Sequence, residues 1–189
     1  MQSFRLSFDC KTESYSVSEG VFDALYAEGG MGMQENDLRL HTCSLAGPRG
    51  LSRQALADLA PRLYRAVSRM MLRHDVCCFC CAMTDGFDLL AAQTVLHMRG
   101  GHPDVRLILY HPQGADVPPS WQAIGKQAER IVDYADTDAL ACPVQALEQS
   151  AFCLAYRKGR DAAVQRTVQA ARQHGVRIVS LTQRPLCLP

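Results

Sequence analysis

Asp75-Val76-Cys77-Cys78-Phe79-Cys80-Cys81-Ala82-Met83-Thr84-Asp85-Gly86-Phe87-Asp88-Leu89-Leu90-Ala91-Ala92, running on to Arg99, holds an apolar strand over 76–82, a tight turn over 83–86 and an amphipathic helix from about Phe87. A strand that passes through a turn directly into a helix is the building unit of an α/β sheet. In open sheets of this kind ligands sit outside the carboxyl ends of the strands, where helix N-termini offer free backbone N–H groups. The turn Met83-Thr84-Asp85-Gly86 therefore borders the place where a binding site is expected.

Four of the chain's nine cysteines crowd this strand. Successive strand side chains point to opposite faces, so Cys77 and Cys81 share a face but stand about 13 Å apart at ~3.3 Å per residue. One tetrahedral zinc cannot gather all four from a straight strand. They read instead as small hydrophobes of a buried strand. An odd count, with no secretory signal in Met1-Gln2-Ser3-Phe4-Arg5, fits a reducing cytoplasm.

Upstream, Leu38–Leu45 alternates as a strand and 46–50 forms a loop. Ser52 caps a long helix whose apolar residues Leu56, Leu59, Leu63, Val67, Met70 and Met71 keep close to the 3.6-residue period. Pro61 is expected to kink that helix or break it in two. Downstream, Gly100-Gly101 ends the central helix. Further strands follow over 105–110, 130–134, 152–156 and 176–181, with helices between them over about 118–128, 144–149 and 162–174. Apolar strands alternating with amphipathic helices require a parallel sheet covered on both faces. Residues 1–36 read as a strand–helix arm set off by Gly29-Gly30-Met31-Gly32; those glycines lack the Gly-Lys-Ser/Thr of a phosphate loop. The main domain is then 37–189.

With 189 residues, 48% apolar and 21% charged, the chain suits one such domain. Its formal net charge of +1 argues against nucleic acid as a partner held by bulk charge. No apolar run approaches the roughly 20 residues of a membrane span.

Leu45-Ala46-Gly47-Pro48-Arg49, Gly86-Phe87-Asp88-Leu89-Leu90-Ala91-Ala92, Cys153-Leu154-Ala155-Tyr156 with Gly159, and Gly175-Val176-Arg177-Ile178-Val179-Ser180-Leu181, in this order and spacing, resemble the YpsA-like family. That family belongs to the SLOG superfamily, the Rossmann-like group that includes the DprA and LOG proteins. The resemblance covers Leu38 to Leu181. It implies a Rossmann-like three-layer α/β fold with a mostly parallel sheet and helices on both faces. It also implies a nucleotide or nucleotide-derived ligand at the carboxyl ends of the strands.

Several family positions are altered. Where the family has Thr-Gly-His-Arg after the first strand, this chain has Ala46, Gly47, Pro48 and Arg49. A Gly-Gly pair before Gly-Phe-Asp becomes Ala82 and Met83, while Gly86, Phe87 and Asp88 remain. An Arg-Asn pair before the fifth strand falls on Cys142 and Pro143, and a Gly-Gly-Thr after it on Ala162, Ala163 and Val164. Glycine pairs let a backbone approach a phosphate, and arginine binds it bidentately. The replacing side chains supply neither, and Ala, Val and Pro offer no hydrogen bond to a sugar or base.

The ligand-binding residues implied are Gly47, Arg49, Thr84, Gly86 and Asp88, with Lys158 of Lys158-Gly159-Arg160 at the rim. Asp88 has a second reading, as a carboxylate that steadies its own helix through the dipole. His111 ends the third strand and faces the same edge, yet nothing in the spacing sets it beside Cys43 or Cys81 as a nucleophile pair. Trp121 opens a helix and reads as packing. Neither Gly-x-Ser-x-Gly nor the Gly-x-Gly-x-x-Gly dinucleotide fingerprint is present, nor the LOG signature Pro-Gly-Gly-x-Gly-Thr-x-x-Glu. No catalytic residue, metal ligand set or cofactor is assigned. The expectation is a non-catalytic binding or sensing module for a nucleotide-derived small molecule. The alternative is an interaction protein that kept the fold and lost the pocket, and behind both stands an N-glycosidase acting through Asp88. Exposed helices, with Met70-Met71 or residues 1–36, would allow two copies to pair.

Overall fold

The computed structural model describes residues 35–135 and 142–181. The strand and helix expected within residues 1–34, and the loop over 136–141, lie outside the described residues. The elements run α1 (Glu35–Leu40), β1 (Thr42–Ala46), α2 (Arg53–His74), β2 (Cys78–Ala82), α3 (Phe87–Arg99), β3 (Arg106–Pro112), α4 (Pro119–Gly125), β4 (Arg130–Tyr134), α5 (Val144–Glu148), β5 (Phe152–Tyr156), α6 (Ala162–Gln173) and β6 (Arg177–Leu181). All five strand pairings are parallel, and the sheet order is β4-β3-β2-β1-β5-β6. The chain steps outward from β1 to β4, then returns to lay β5 on the other side of β1. The topological switch point therefore lies between β1 and β5.

Period-2 alternation assigns the faces. Ala46, Cys78, Cys80, Ile108, Tyr110, Cys153 and Ala155 form one apolar cluster with Ala146 and Leu147 of α5 and with Val164, Val168 and Ala171 of α6. The opposite face carries α2, α3 and α4, which pack on one another in sequence. β1, β2 and β5 are buried throughout, as strands covered on both faces must be. Cys43, Cys78, Cys80, Cys81, Cys142 and Cys153 are all buried free thiols, filling small volumes between the sheet and its helices.

Three expectations need correction. Leu38-Arg39-Leu40 is not strand but the last turn of α1. The Thr42 hydroxyl donates to the Leu38 carbonyl at 2.7 Å and closes that turn, while Leu40 stands 59% exposed. Pro61 does not divide α2, which runs unbroken over 22 residues. Leu59, Ala60, Leu63, Val67 and Met70 keep one buried stripe across the proline, and that burial outweighs the one lost backbone bond. Met70 lies in that stripe at 2% exposure, so it has no surface to offer a second copy.

The ends of α2 are well closed. Ser52 accepts from the Ala55 N–H at 3.2 Å, and Asp75 takes a left-handed φ of 50° as the Val76 N–H bonds back to the Met70 carbonyl. No helix among the described residues is long and apolar enough to cross a membrane.

Candidate functional site

The carboxyl edge of the sheet brings together the loops after β1, β2 and β5. Gly86 is the joint between the first two. It has φ +80°, and a Cβ there would collide with the Arg49 carbonyl oxygen. Only glycine allows the two loops to touch at this point. The next residue completes the joint, since the Phe87 N–H donates to the Pro48 carbonyl at 3.2 Å. The Phe87 ring lies directly over Gly47, where a Cβ would collide with it, and stacks on Tyr156 with centroids 6.2 Å apart and planes 14° off parallel. Tyr156 is the last residue of β5, so this pair of rings spans the switch point. The Arg62 guanidinium of α2 lies 5.9 Å from the centroid of the same tyrosine.

Asp88, in the first turn of α3, is 1% exposed. The Thr84 hydroxyl donates to its Oδ2, while Oδ1 has no hydrogen-bond partner among the described residues. Burial holds its carboxyl well above the usual carboxylate range, against the opposing pull of the Thr84 hydroxyl and the Arg49 cation. Burial works against the charge by which Asp88 would steady its own helix, while Thr84 and Arg49 work for it. Thr84, Asp88 and Arg49 form one polar group at the mouth of the β1 and β2 loops.

Of the six residues named from sequence, Gly47, Arg49, Thr84, Gly86 and Asp88 thus meet at one place. Lys158 is exposed on the turn after β5, beside Gly159 at φ +63°. His111 takes Asp133 as its partner, not a cysteine, with Nδ1 3.1 Å from Oδ1. Trp121 is fully buried in the first turn of α4. Phe87, Tyr156 and Arg62 were missed as site residues. Phe87 and Tyr156 stood inside the family-like segments, but stacking between distant elements leaves no local pattern.

The family-matching positions that carry altered residues are filled from within. Cys142 and Pro143 are buried at the start of α5, and the Cys142 thiol is pushed well up by burial and by neighbours that include Cys153 and Asp88. Ala162, Ala163 and Val164 form the first turn of α6, whose end is capped by Asp161 accepting from the Val164 N–H at 2.9 Å.

No protein-family profile and no curated protein matches the chain. Among solved structures it is similar to DNA processing protein A (DprA) from Streptococcus pneumoniae, with a TM-score of 0.53 and 10% identity. The fold is Rossmann-like and matches that of DprA. The match covers 79% of this chain and 53% of the DprA chain, so it spans about half of that protein. At this identity the likeness concerns the fold alone. The neighbour's name, a DNA processing protein, lends no support to the expectation that net charge removes nucleic acid from the partners.

Proposed function

We propose that this chain is a divergent YpsA-like, non-catalytic module that binds a nucleotide-derived small molecule at the switch-point edge. The observation that carries this reading is the convergence of Arg49 with the half-buried Thr84 and the buried Asp88 on two loops locked together through Gly47 and Gly86. Arg49 supplies a cation for a phosphate. Thr84 and Asp88 supply hydrogen-bonding groups suited to sugar hydroxyls, and Lys158 stands at the rim. Ligands of open α/β sheets take this position.

A second reading, a scaffold that meets a protein partner, draws on a different observation. At the start of α3 the Phe87 N–H donates to the Pro48 carbonyl and at the start of α6 the Val164 N–H donates to Asp161, so each helix terminus at this edge already has one N–H engaged within the chain. A thermal-shift screen against AMP, ADP-ribose, NAD and cyclic dinucleotides separates the two. A ligand at 100 times its Kd adds about 2.7 kcal/mol to native stability. A shift abolished by Arg49→Ala and by Asp88→Ala supports the binding module. The absence of any shift across the panel moves the assignment to the scaffold.

A further inference from the structure

α2 carries five arginines and a single acid, Asp58. Leu59, Leu63, Val67 and Met70 form its buried stripe, and two contacts fix its flanks. On one side Tyr64 meets His97 of α3, with ring centroids 6.0 Å apart. On the other Arg62 reaches Tyr156 of β5. Arg65, Arg69 and Arg73 follow at steps of three, four and four residues, so they continue the Arg62 side of the helix along its solvent face. All three are exposed, and among the described residues none has a carboxylate partner. Leu72, three residues after Arg69, is 47% exposed on the same face. At the end of the helix His74 and Arg177 of β6 both lie against the Phe152 ring, at 5.0 and 5.5 Å, so a fourth exposed cation stands at that corner.

Like charges four residues apart work against the helix that carries them, a repulsion that an anionic partner would relieve. Three features select the anion. The ridge is short: Arg65 to Arg73 spans about 12 Å at ~1.5 Å per residue. Exposed carboxylates bound it at both ends, Asp58 on the same face seven residues before Arg65 and Asp75 just after the helix. A long polyanion running through would meet both, whereas a ligand of two or three helical turns meets neither. Tyr64, the one Phe, Tyr or Trp of α2, is turned to α3, so the ridge has no ring on which the bases of a single strand would stack. It has Leu72 instead, an apolar contact. Arginine forks take carboxylates bidentately, and a helix laid along α2 with acids four residues apart repeats the rise of the arginines.

We propose that this ridge docks an acidic amphipathic helix of a partner protein, with carboxylates on Arg65, Arg69 and Arg73 and an apolar side chain on Leu72. α2 runs from the carboxyl edge of the sheet back to its amino edge, where His74 meets the first residue of β5. The ridge therefore stands apart from the carboxyl-edge site, and the proposal is independent of any ligand there.

The test measures binding of a fluorescein-labelled helical peptide to the full chain at low salt by fluorescence anisotropy. The peptide carries Glu at i, i+4 and i+8 with Leu at i+7, and a control peptide has the same composition in scrambled order. Arg65→Gln, Arg69→Gln and Arg73→Gln combined should weaken the peptide at least about tenfold, and Leu72→Ser several-fold. Arg172→Gln, a change at an exposed position of α6 on the opposite face, should leave affinity unchanged. All the substituted side chains are exposed, so the variants should melt with the natural chain. Binding should weaken as salt is raised. Equal affinity for the natural chain and the triple variant overturns the proposal, as does equal affinity for the two peptides or no binding of the designed one. A loss at the arginines with none at Leu72 also overturns it. So does tighter binding of a dT oligonucleotide of equal charge, or of phosphatidylserine-containing vesicles, that the triple variant abolishes.

Discussion

At Gly86 the backbone turns into a region that L side chains rarely adopt, and it does so against another loop's carbonyl. Gly114 has nearly the same φ, +79°, yet a Cβ there meets open space. The two glycines therefore separate conformational strain from contact. Gly114→Ala should cost about 1 kcal/mol, the strain alone. Gly86→Ala should cost clearly more, about 3 kcal/mol, because the Arg49 carbonyl must also move. Chemical denaturation of both variants measures the difference, and equal losses would mean that the two loops are not locked. Asp88 gives a pH signature of the same site. Its folded pKa lies above its unfolded value, so from about pH 4 upward the unfolded chain releases a proton that the folded chain retains. Stability then falls as pH rises, by up to about 1.4 kcal/mol per unit, until the folded pKa is passed. Asp88→Asn should remove this slope and melt higher than the natural chain at neutral pH. Parallel pH–stability curves for the two proteins would contradict the buried acid.

The helices show where local sequence rules hold and where packing overrides them. Ser52 and Asp161 cap α2 and α6 as their residue types promise, and the strands β4 and β5 run over the residues that apolar patterning marks. Leu38-Arg39-Leu40 alternates like a strand and is helix, because a three-residue apolar alternation carries no information about which period it samples. Pro61 reads as a break and is not one, because the burial of Leu59, Leu63 and Val67 on either side belongs to tertiary structure and not to the proline's neighbours. The helix still lacks the bond that the proline cannot donate. Pro61 is exposed, so Pro61→Ala restores that bond without disturbing the core. The substitution should stabilise the fold by about 1–3 kcal/mol. A rise of several degrees in Tm checks it, and a fall would mean that the proline's rigidity matters more than its missing N–H.

At the scale of the whole molecule, periodicity told which face each strand residue takes but not which strand lies beside which. The order β4-β3-β2-β1-β5-β6 is a long-range property, and with it came the parts of the candidate site that no local pattern held: the Phe87–Tyr156 stack, the reach of Arg62 and the alignment of His111 with Asp133. The same topology makes a prediction about the cysteines. Cys43, Cys78, Cys80, Cys81 and Cys153 sit on β1, β2 and β5, three of the four interior strands, and Cys142 lies against them. Burial pushes the Cys153 thiol up to about 11 and raises those of Cys43 and Cys81, so thiolate is scarce at these three, whereas the Cys78 thiol is lowered by its hydrogen bond with Cys80 and is shielded by burial alone. Cys77, just before β2, is only partly buried. Among the described cysteines, brief alkylation of the native protein at pH 8 should therefore mark Cys77 alone, as read by peptide mass spectrometry. The other six-membered set should become reactive together as denaturant unfolds the sheet, since no central strand can release its thiol without parting from two neighbours. Early labelling of Cys153 or Cys81 in the native state would show that the β1–β5 switch region opens separately from the rest, and would make that opening the route by which a ligand reaches Asp88.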